Sequence, residues 1–285
     1  MFDMDSYLNK CSFPDSGKEI DCAVSGGADS VAMMILAKMN GCNVRVHYVD
    51  HNIRSTNEAE FVANLARRFE LEFKSYQINI EPGSNLEARA RTKRFEVLPK
   101  GVATAHTMDD QVETFFINLL RGSSLSGLSG MTRSFSHPIL NMRRAETVEI
   151  VNHFGITPFE DPSNSDLHFV RNKIRHLLIP LLNDISNRDI VPIIFRQMEL
   201  MRDDDDLLQS YSSRLNPLNV TELRNSPKPL ASRALRNLLT NDDGYMPSRS
   251  DIEKIFDVVN LRHEAAQIKD GVMVRRSKGI LKVER

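Results

Sequence analysis

Two hydrophobic rhythms alternate through the first 120 residues. The segments 20–24, 44–49, 72–80 and 101–105 are short and apolar, or alternate with period two, as strands do. The segments that follow, 31–37, 58–69, 86–98 and the stretch ending at Leu120, carry helical spacing. Strand and helix in turn predict an α/β fold with a doubly wound, mainly parallel sheet, because parallel neighbours need a crossover and a helix supplies it. Loops leaving the carboxyl ends of such strands gather at one edge, so those after Val24, Val49 and Ala105 should converge.

Beyond residue 120 the pattern changes. Residues 121–138 are rich in Gly and Ser, the composition of either a functional loop or a disordered linker. After a turn at Asp161-Pro162-Ser163-Asn164, the apolar residues Val170, Ile174, Leu177, Leu178 and Leu181 fall on one helical stripe, with Arg171 and Arg175 as i,i+4 neighbours on another face. Helices are predicted at 193–215, 227–240 and 247–260, and short strands within 265–283, turning at Asp270-Gly271 and Lys278-Gly279. The first of these helices carries Asp203, Asp204, Asp205 and Asp206, expected as a solvated face. We place a boundary near 190. Residues 1–190 form the larger α/β domain, and 191–285 a smaller, mostly helical one ending in a short β-containing tail.

Composition narrows the classes. A chain of 285 residues that is 41% hydrophobic can build a sizeable core, and the longest apolar run, 31–37, is far too short to span a membrane. The N-terminus, with Asp3 and Asp5 and no hydrophobic stretch, has neither a secretory nor a transit pattern, so a cytoplasmic protein is expected. With a net charge of −1, nothing global attracts a polyanion, and any nucleic-acid contact must come from local patches. One such patch is the tail, where residues 262–285 hold seven Lys/Arg against three Asp/Glu. Cys11, Cys22 and Cys42 form no C-x-x-C pair, and Cys22 is most simply a small core residue.

The candidate chemistry starts at Ser25-Gly26-Gly27-Ala28-Asp29-Ser30, between the first strand and the first helix. Two glycines let the backbone approach an anion, two serines offer hydroxyls, and the helix presents its positive end. The spacing is neither that of a Walker A loop nor that of a dinucleotide fingerprint. An acid beside phosphate makes sense with magnesium (Mg²⁺) between them; otherwise Asp29 merely complements the helix dipole. The loop resembles that of the PP-loop ATP pyrophosphatase superfamily.

Further motifs sharpen the resemblance. Val49-Asp50-His51-Asn52-Ile53-Arg54-Ser55, Glu87-Ala88-Arg89-Ala90-Arg91, Ala105-His106, Asp109-Asp110-Gln111-Val112-Glu113-Thr114, Arg121-Gly122, Asp161-Pro162-Ser163-Asn164 and Arg171-Asn172-Lys173-Ile174-Arg175 cover about the first two-thirds of the chain. In that order they resemble the tRNA(Ile)-lysidine synthase family. The resemblance implies an adenine nucleotide alpha hydrolase-like PP-loop domain at 1–190 and a tRNA contact at 191–285. It also implies a ligase that uses ATP to adenylate C2–O of the wobble cytidine in the anticodon loop of an isoleucine tRNA. The ε-amine of free L-lysine then displaces AMP.

On this basis ATP would meet Ser25, Gly26, Gly27, Ala28, Asp29, Ser30, Asp50 and His51, with Asp29 also on Mg²⁺. Asp29, His106, Asp110, Glu113, Arg171 and Arg175 would be catalytic. Arg54, Arg89, Arg91, Asp110, Glu113 and Arg121 would meet lysine or tRNA. Read from the residues alone, His106 is a suitable base by its ordinary pKa, Thr107-x-x-Asp110 also fits a helix-capping start, and each arginine also fits a surface ion pair. The chain departs from the family pattern at Thr107, His137 and Phe95, where a second histidine, an arginine and a tyrosine are usual. Two rivals remain. A PP-loop tRNA thiolation enzyme would want a cysteine pair, and a non-catalytic adenine-nucleotide-binding module would not need so many charged groups together. The oligomeric state is open between a monomer and a homodimer.

Overall fold

The computed structural model describes residues 2–50, 57–79, 86–159, 166–240 and 247–284, apart from the side chains of residues 86–88, 91 and 270. It divides into two compact units, Met1–Glu199 and Leu200–Arg285.

In the first unit, after the short helix α1 (Met4–Leu8), β1 (Glu19–Ala23), β2 (Asn43–Asp50) and β3 (Glu72–Gln77) form a parallel sheet in that order. Cys22 lies opposite Val46, and Val46 opposite Phe73. Residues 101–105, expected as a fourth strand, touch the free edge of β1 by a single bridge, Cys22 to Ala103. The Ala103 N–H donates to the Asp21 carbonyl (2.7 Å), and the Ala103 carbonyl accepts from Ala23 (2.9 Å). The Thr104 N–H then turns away to the carbonyl of Ser136 (2.9 Å), which ends the pairing. Winding therefore reverses between β1 and residue 103, and a crevice opens at their carboxyl ends, where doubly wound sheets bind ligands.

Helix α2 (Ala28–Met39) crosses from β1 to β2, α3 (Asn57–Arg68) from β2 to β3, and α4 (Leu86–Val97) follows β3. Residues 31–37 of α2 are buried all round, because the helix lies between the sheet and α7 (Arg144–His153). Each of Met33, Met34, Ile35 and Leu36 is fully enclosed, worth roughly 1.5–3 kcal/mol of apolar burial apiece. Helix α5 (Met108–Leu120) leads from the crevice, followed by the single turn α6 (Leu125–Leu128). The 121–138 segment is held as a structured loop. Gln111 donates to the Met131 carbonyl (2.9 Å) and accepts from its N–H (3.0 Å), and a side chain at Gly130 (φ +69°) would run into Gln111 at 2.5 Å.

The stripe expected across 170–181 is broken. After α8 (Val170–Lys173) comes a π-helical turn, Ile174–Leu178, and then α9 (Ile179–Ser186). Pro180 has no N–H to offer the carbonyl four residues back, and the ladder opens to i→i−5, with Ile179 N–H on the Ile174 carbonyl. One extra residue turns everything beyond it by about 100°. Ile174 and Ile179 are buried, whereas Val170, Leu177 and Leu181 are more than half exposed.

Helix α10 (Val191–Ser212) starts in the first unit and ends in the second. The second unit continues with α11 (Val220–Asn225), α12 (Lys228–Leu239) and α13 (Arg249–Val259). It closes on an antiparallel sheet of β4 (Ala265–Gln267), β5 (Met273–Ser277) and β6 (Ile280–Glu284). Leu223, Leu235, Ile255, Val274 and Leu281 centre its core. The acidic run is not uniformly solvated: Asp205 is half-buried and pairs with Arg233 at 2.7 Å. Among the described residues no helix is long and apolar enough to cross a membrane.

Candidate active site

The loop between β1 and α2 is shaped by its glycines. Gly26 has φ +89°, and a Cβ there would stand 3.4 Å from both Phe61 and Phe159. Gly27 is the N-cap of α2 and supplies no side-chain cap, so the first-turn amides of Ala28, Asp29 and Ser30 keep an open end. The hydroxyl of Ser30 donates to the Gly27 carbonyl (2.9 Å) and accepts from the Ser25 N–H (3.1 Å), with the Ser25 hydroxyl 3.3 Å away. These bonds close the loop on itself at the start of α2. Asp50 ends β2 at the same edge of the sheet, and His51 and Arg54 lie outside the described residues.

Facing the loop is a network of acids and arginines. The buried Glu113 side chain takes two bonds from Arg175, Nε to Oε1 at 2.6 Å and Nη2 to Oε2 at 3.1 Å. It takes a third from Arg144 (3.2 Å), and Arg171 stands 3.7 Å away while donating to the Thr114 hydroxyl at 3.2 Å. Asp110 accepts from Arg144 (2.8 Å) and from both the N–H (2.9 Å) and the hydroxyl (3.0 Å) of Thr107. Asp29 accepts from the Thr147 hydroxyl and, at 3.4 Å, from Arg144. Asp109 is paired with Arg143 at 3.1 Å through both its oxygens. Three carboxylates, Asp29, Asp110 and Glu113, thus neutralise three guanidiniums, Arg144, Arg171 and Arg175.

The two aspartates titrate in opposite directions. Burial pushes the Asp29 carboxyl up, and Arg144 and Thr147 only partly offset it, because Arg144 approaches Asp110 more closely. Burial also pushes on Asp110, but Arg144, the Thr107 N–H, His106 and Arg171 outweigh it and leave the group below the usual range. Burial works against the charge of Arg144, yet Asp110, Glu113, Asp29 and Asp109 hold its guanidinium firmly protonated.

Sequence reasoning missed Arg143, Arg144 and Thr147. They begin α7, a helix with no strong amphipathic signal, and reach acids more than thirty residues away along the chain. One signal existed: two adjacent arginines at a helix start oppose the dipole, and residues that break a local rule are candidates for function. Of the other expected residues, His106 sits at the crevice with its Nδ1 2.9 Å from the Thr104 hydroxyl. Arg89 is half-buried on α4, and its Nε and Nη2 have no hydrogen-bond partner among the described residues. The side chain of Arg91 lies outside the described residues. Arg121 is exposed at the C-terminal end of α5, roughly 16 Å along the helix from Asp110, so it does not join the network.

No group of three metal-ligating side chains occurs among the described residues. The donors fit Mg²⁺ in another form. A single carboxylate, Asp29, is left wanting a cation by its burial in the first turn of α2, and Mg²⁺ takes one or two carboxylates with substrate phosphates and water.

Comparison with known proteins agrees with this geometry. Residues 3–182 match the model of the PP-loop domain family ATP_bind_3. A tRNA(Ile)-lysidine synthase of Nocardia farcinica is 30% identical over 86% of this chain and 83% of its own length. One from Synechococcus sp. is 32% identical over 83% and 81%. Among solved structures, the U34-tRNA thiolase NcsA of Methanococcus maripaludis superposes with a TM-score of 0.53 at 15% identity, over 70% of this chain and 78% of its own, which is a likeness of fold. The chain belongs to the PP-loop ATP_bind_3 family and, within it, to the tRNA(Ile)-lysidine synthase family of ATP-dependent ligases.

Proposed function

We propose that this enzyme ligates free lysine to C2 of the wobble cytidine of an isoleucine tRNA. The C2 oxygen attacks the α-phosphorus of ATP and pyrophosphate leaves; the lysine ε-amine then attacks C2 and AMP leaves. The observation that carries this reading is the self-neutralised network beside an uncapped phosphate loop, because it offers a charge of the right sign to every part of that reaction.

Substrates enter such a site by exchange. Phosphates draw Arg144 and Arg171 toward themselves as they settle on the α2 N-terminus, since charge-assisted bonds to phosphate replace those to carboxylate, and they meet Arg175 where Glu113 holds it. The carboxylates released from Arg144 are then open to cations: Asp110 to the lysine ammonium, and Asp29 to Mg²⁺, which when bound would offset phosphate charge. Glu113 stays with Arg175 and positions it, because its side chain is wholly enclosed. His106 is assigned to the amine. Its substrate has a pKa near 10.4, so presenting it neutral at pH 7 costs roughly 4–5 kcal/mol unless a base takes the proton. Arg89, with unsatisfied nitrogens, is assigned to RNA phosphate, as is the basic tail of the second unit with Arg275, Arg276, Lys278 and Lys282.

A sulfur-transferring reading fares worse. All three cysteines are buried and unpaired, and burial pushes the Cys11 thiol up to about 12 and raises that of Cys22 as well.

Incubation of the purified protein with ATP, lysine and an isoleucine tRNA, followed by nucleoside mass spectrometry, tests the proposal. The expected product is a lysine-dependent mass gain on one cytidine, with adenylated cytidine alone when lysine is withheld. A mass change other than adenylation that does not need lysine overturns it. In Glu113→Gln, both half-reactions should slow together, since the arginine it positions serves the phosphate in each.

A further inference from the structure

We propose that Thr104 and His137 form an exit path for the proton that His106 takes from the attacking amine. The inference rests on the assignment of His106 above. Two imidazoles share one hydroxyl: the Oγ1 of Thr104 is 2.9 Å from Nδ1 of His106 and 2.9 Å from Nδ1 of His137. The rings stand nearly edge to face, with centroids 5.3 Å apart and planes at 80°. The hydroxyl's other acceptor among the described residues is the Ser136 carbonyl, which it reaches at 3.2 Å, longer than its distance to either imidazole.

The chemistry of the three groups makes a wire. A threonine hydroxyl donates one proton and accepts others, and a neutral imidazole donates from one nitrogen and accepts at the other. With His106 protonated on Nδ1 and His137 bare there, the bonds run in one direction: His106 N–H to Thr104 oxygen, Thr104 O–H to His137 nitrogen. When Nε2 of His106 takes a proton from the amine, its Nδ1 proton passes to Thr104, and the proton of Thr104 passes to Nδ1 of His137. One proton enters and one is delivered, no charge remains on His106 or Thr104, and His137 becomes the imidazolium.

The outlet lies at His137: Thr104 is 6% exposed, while His137, half-buried as His106 is, sits on a segment whose neighbours Ser134 and Phe135 are exposed. That segment is fixed in place: the His137 N–H donates to Ser134 (2.9 Å), the Pro138 carbonyl accepts from Ser12 (2.8 Å), and the Met142 carbonyl accepts from Met108 at the start of α5 (2.9 Å). The need is chemical, since lysine arrives as an ammonium and the proton it loses would otherwise stay on His106.

The test combines rescue with spectroscopy. His137→Ala should slow the lysine step by about 10²-fold, the lower end of the usual range for proton transfer by a positioned side chain, and added imidazole should restore it. Thr104→Val should slow the same step, and imidazole should not restore it, because the link itself is gone. Slowing of His137→Ala without rescue, or no slowing, overturns the path and leaves His137 a structural role. The ¹⁵N spectrum of histidine-labelled wild-type protein is independent of turnover. His106 and His137 in opposite tautomers support the path, and the same tautomer in both overturns it. Opposite tautomers in a protein that never modifies cytidine with lysine would keep the path and refute the assigned reaction.

Discussion

Helices α2 and α5 begin at the same edge of the sheet, each with an aspartate in its first turn, and they treat that turn differently. At α2 the cap is Gly27, no side chain bonds the first amides, and burial leaves Asp29 with a raised pKa. At α5 the cap is Thr107, and a complete capping box closes the turn: the Asp110 N–H donates to the Thr107 hydroxyl (3.4 Å), and Asp110 accepts the Thr107 N–H (2.9 Å). A helix that caps itself has spent the donors an anion would use, and one that does not keeps them for a ligand. The same residue type at nearly the same local position is therefore held against its charge on α2 and in favour of its charge on α5. In the proposed reaction, phosphate belongs to the first helix, and the arginines that meet it are aimed by the second.

The most severe way to break this contrast is Asp29→Asn. It keeps the shape and removes the charge that draws a cation, so adenylation should fall by about 10²–10³-fold, the scale seen when one preorganised charge partner is lost, while the thermal transition stays close to wild type. Quenched-flow measurement of adenylated tRNA reads the rate. Near-normal adenylation would place the phosphates elsewhere.

Thr107→Ala acts on the other helix and more gently. Loss of an N-cap costs about 1 kcal/mol, which for a unit of this size lowers Tm by about 2–4 °C in a calorimetric scan. Its effect on turnover should be smaller than that of Asp29→Asn, because Asp110 keeps the Thr107 N–H and Arg144. A larger loss of activity than of stability would mean that the hydroxyl meets substrate.

The contrast was only half visible in the sequence. The glycines, the acids and the pair Arg171 and Arg175 are local patterns, and the alternation of strand and helix carried the parallel strands as far as β3. Thr107 and Asp110 were legible as a capping start, and Asp29 as an acid in a loop, but their opposite electrostatics depend on Arg144, which arrives from a distant helix with no periodic signal of its own. Residues 101–105 looked like a strand because β-propensity does not count partners; Thr104 finds Ser136 instead of extending the ladder. The stripe at 170–181 failed because a period of 3.6 was carried through Pro180, where the missing N–H adds a residue to the turn.

The smallest effect is the one that separates the two aspartates most cleanly. For Asp29 the folded-state pKa lies above the unfolded one, so its contribution to stability is present below the ordinary carboxylate value, near 3.9, and is lost as pH rises through the raised value. For Asp110 the folded-state pKa lies below, so its contribution is present above about 3.9 and is lost as pH falls through the lowered value. Asparagine at either position removes the titration. Relative to wild type, Asp29→Asn should therefore gain stability between about pH 3 and pH 7, and Asp110→Asn should lose it over the same interval. Urea unfolding of the three proteins at both ends of that interval gives the two slopes. Slopes of opposite sign sharpen the distinction between an open and a closed helix start. Slopes of the same sign would mean that one network governs both acids, and that the cap on α5 has no electrostatic consequence of its own.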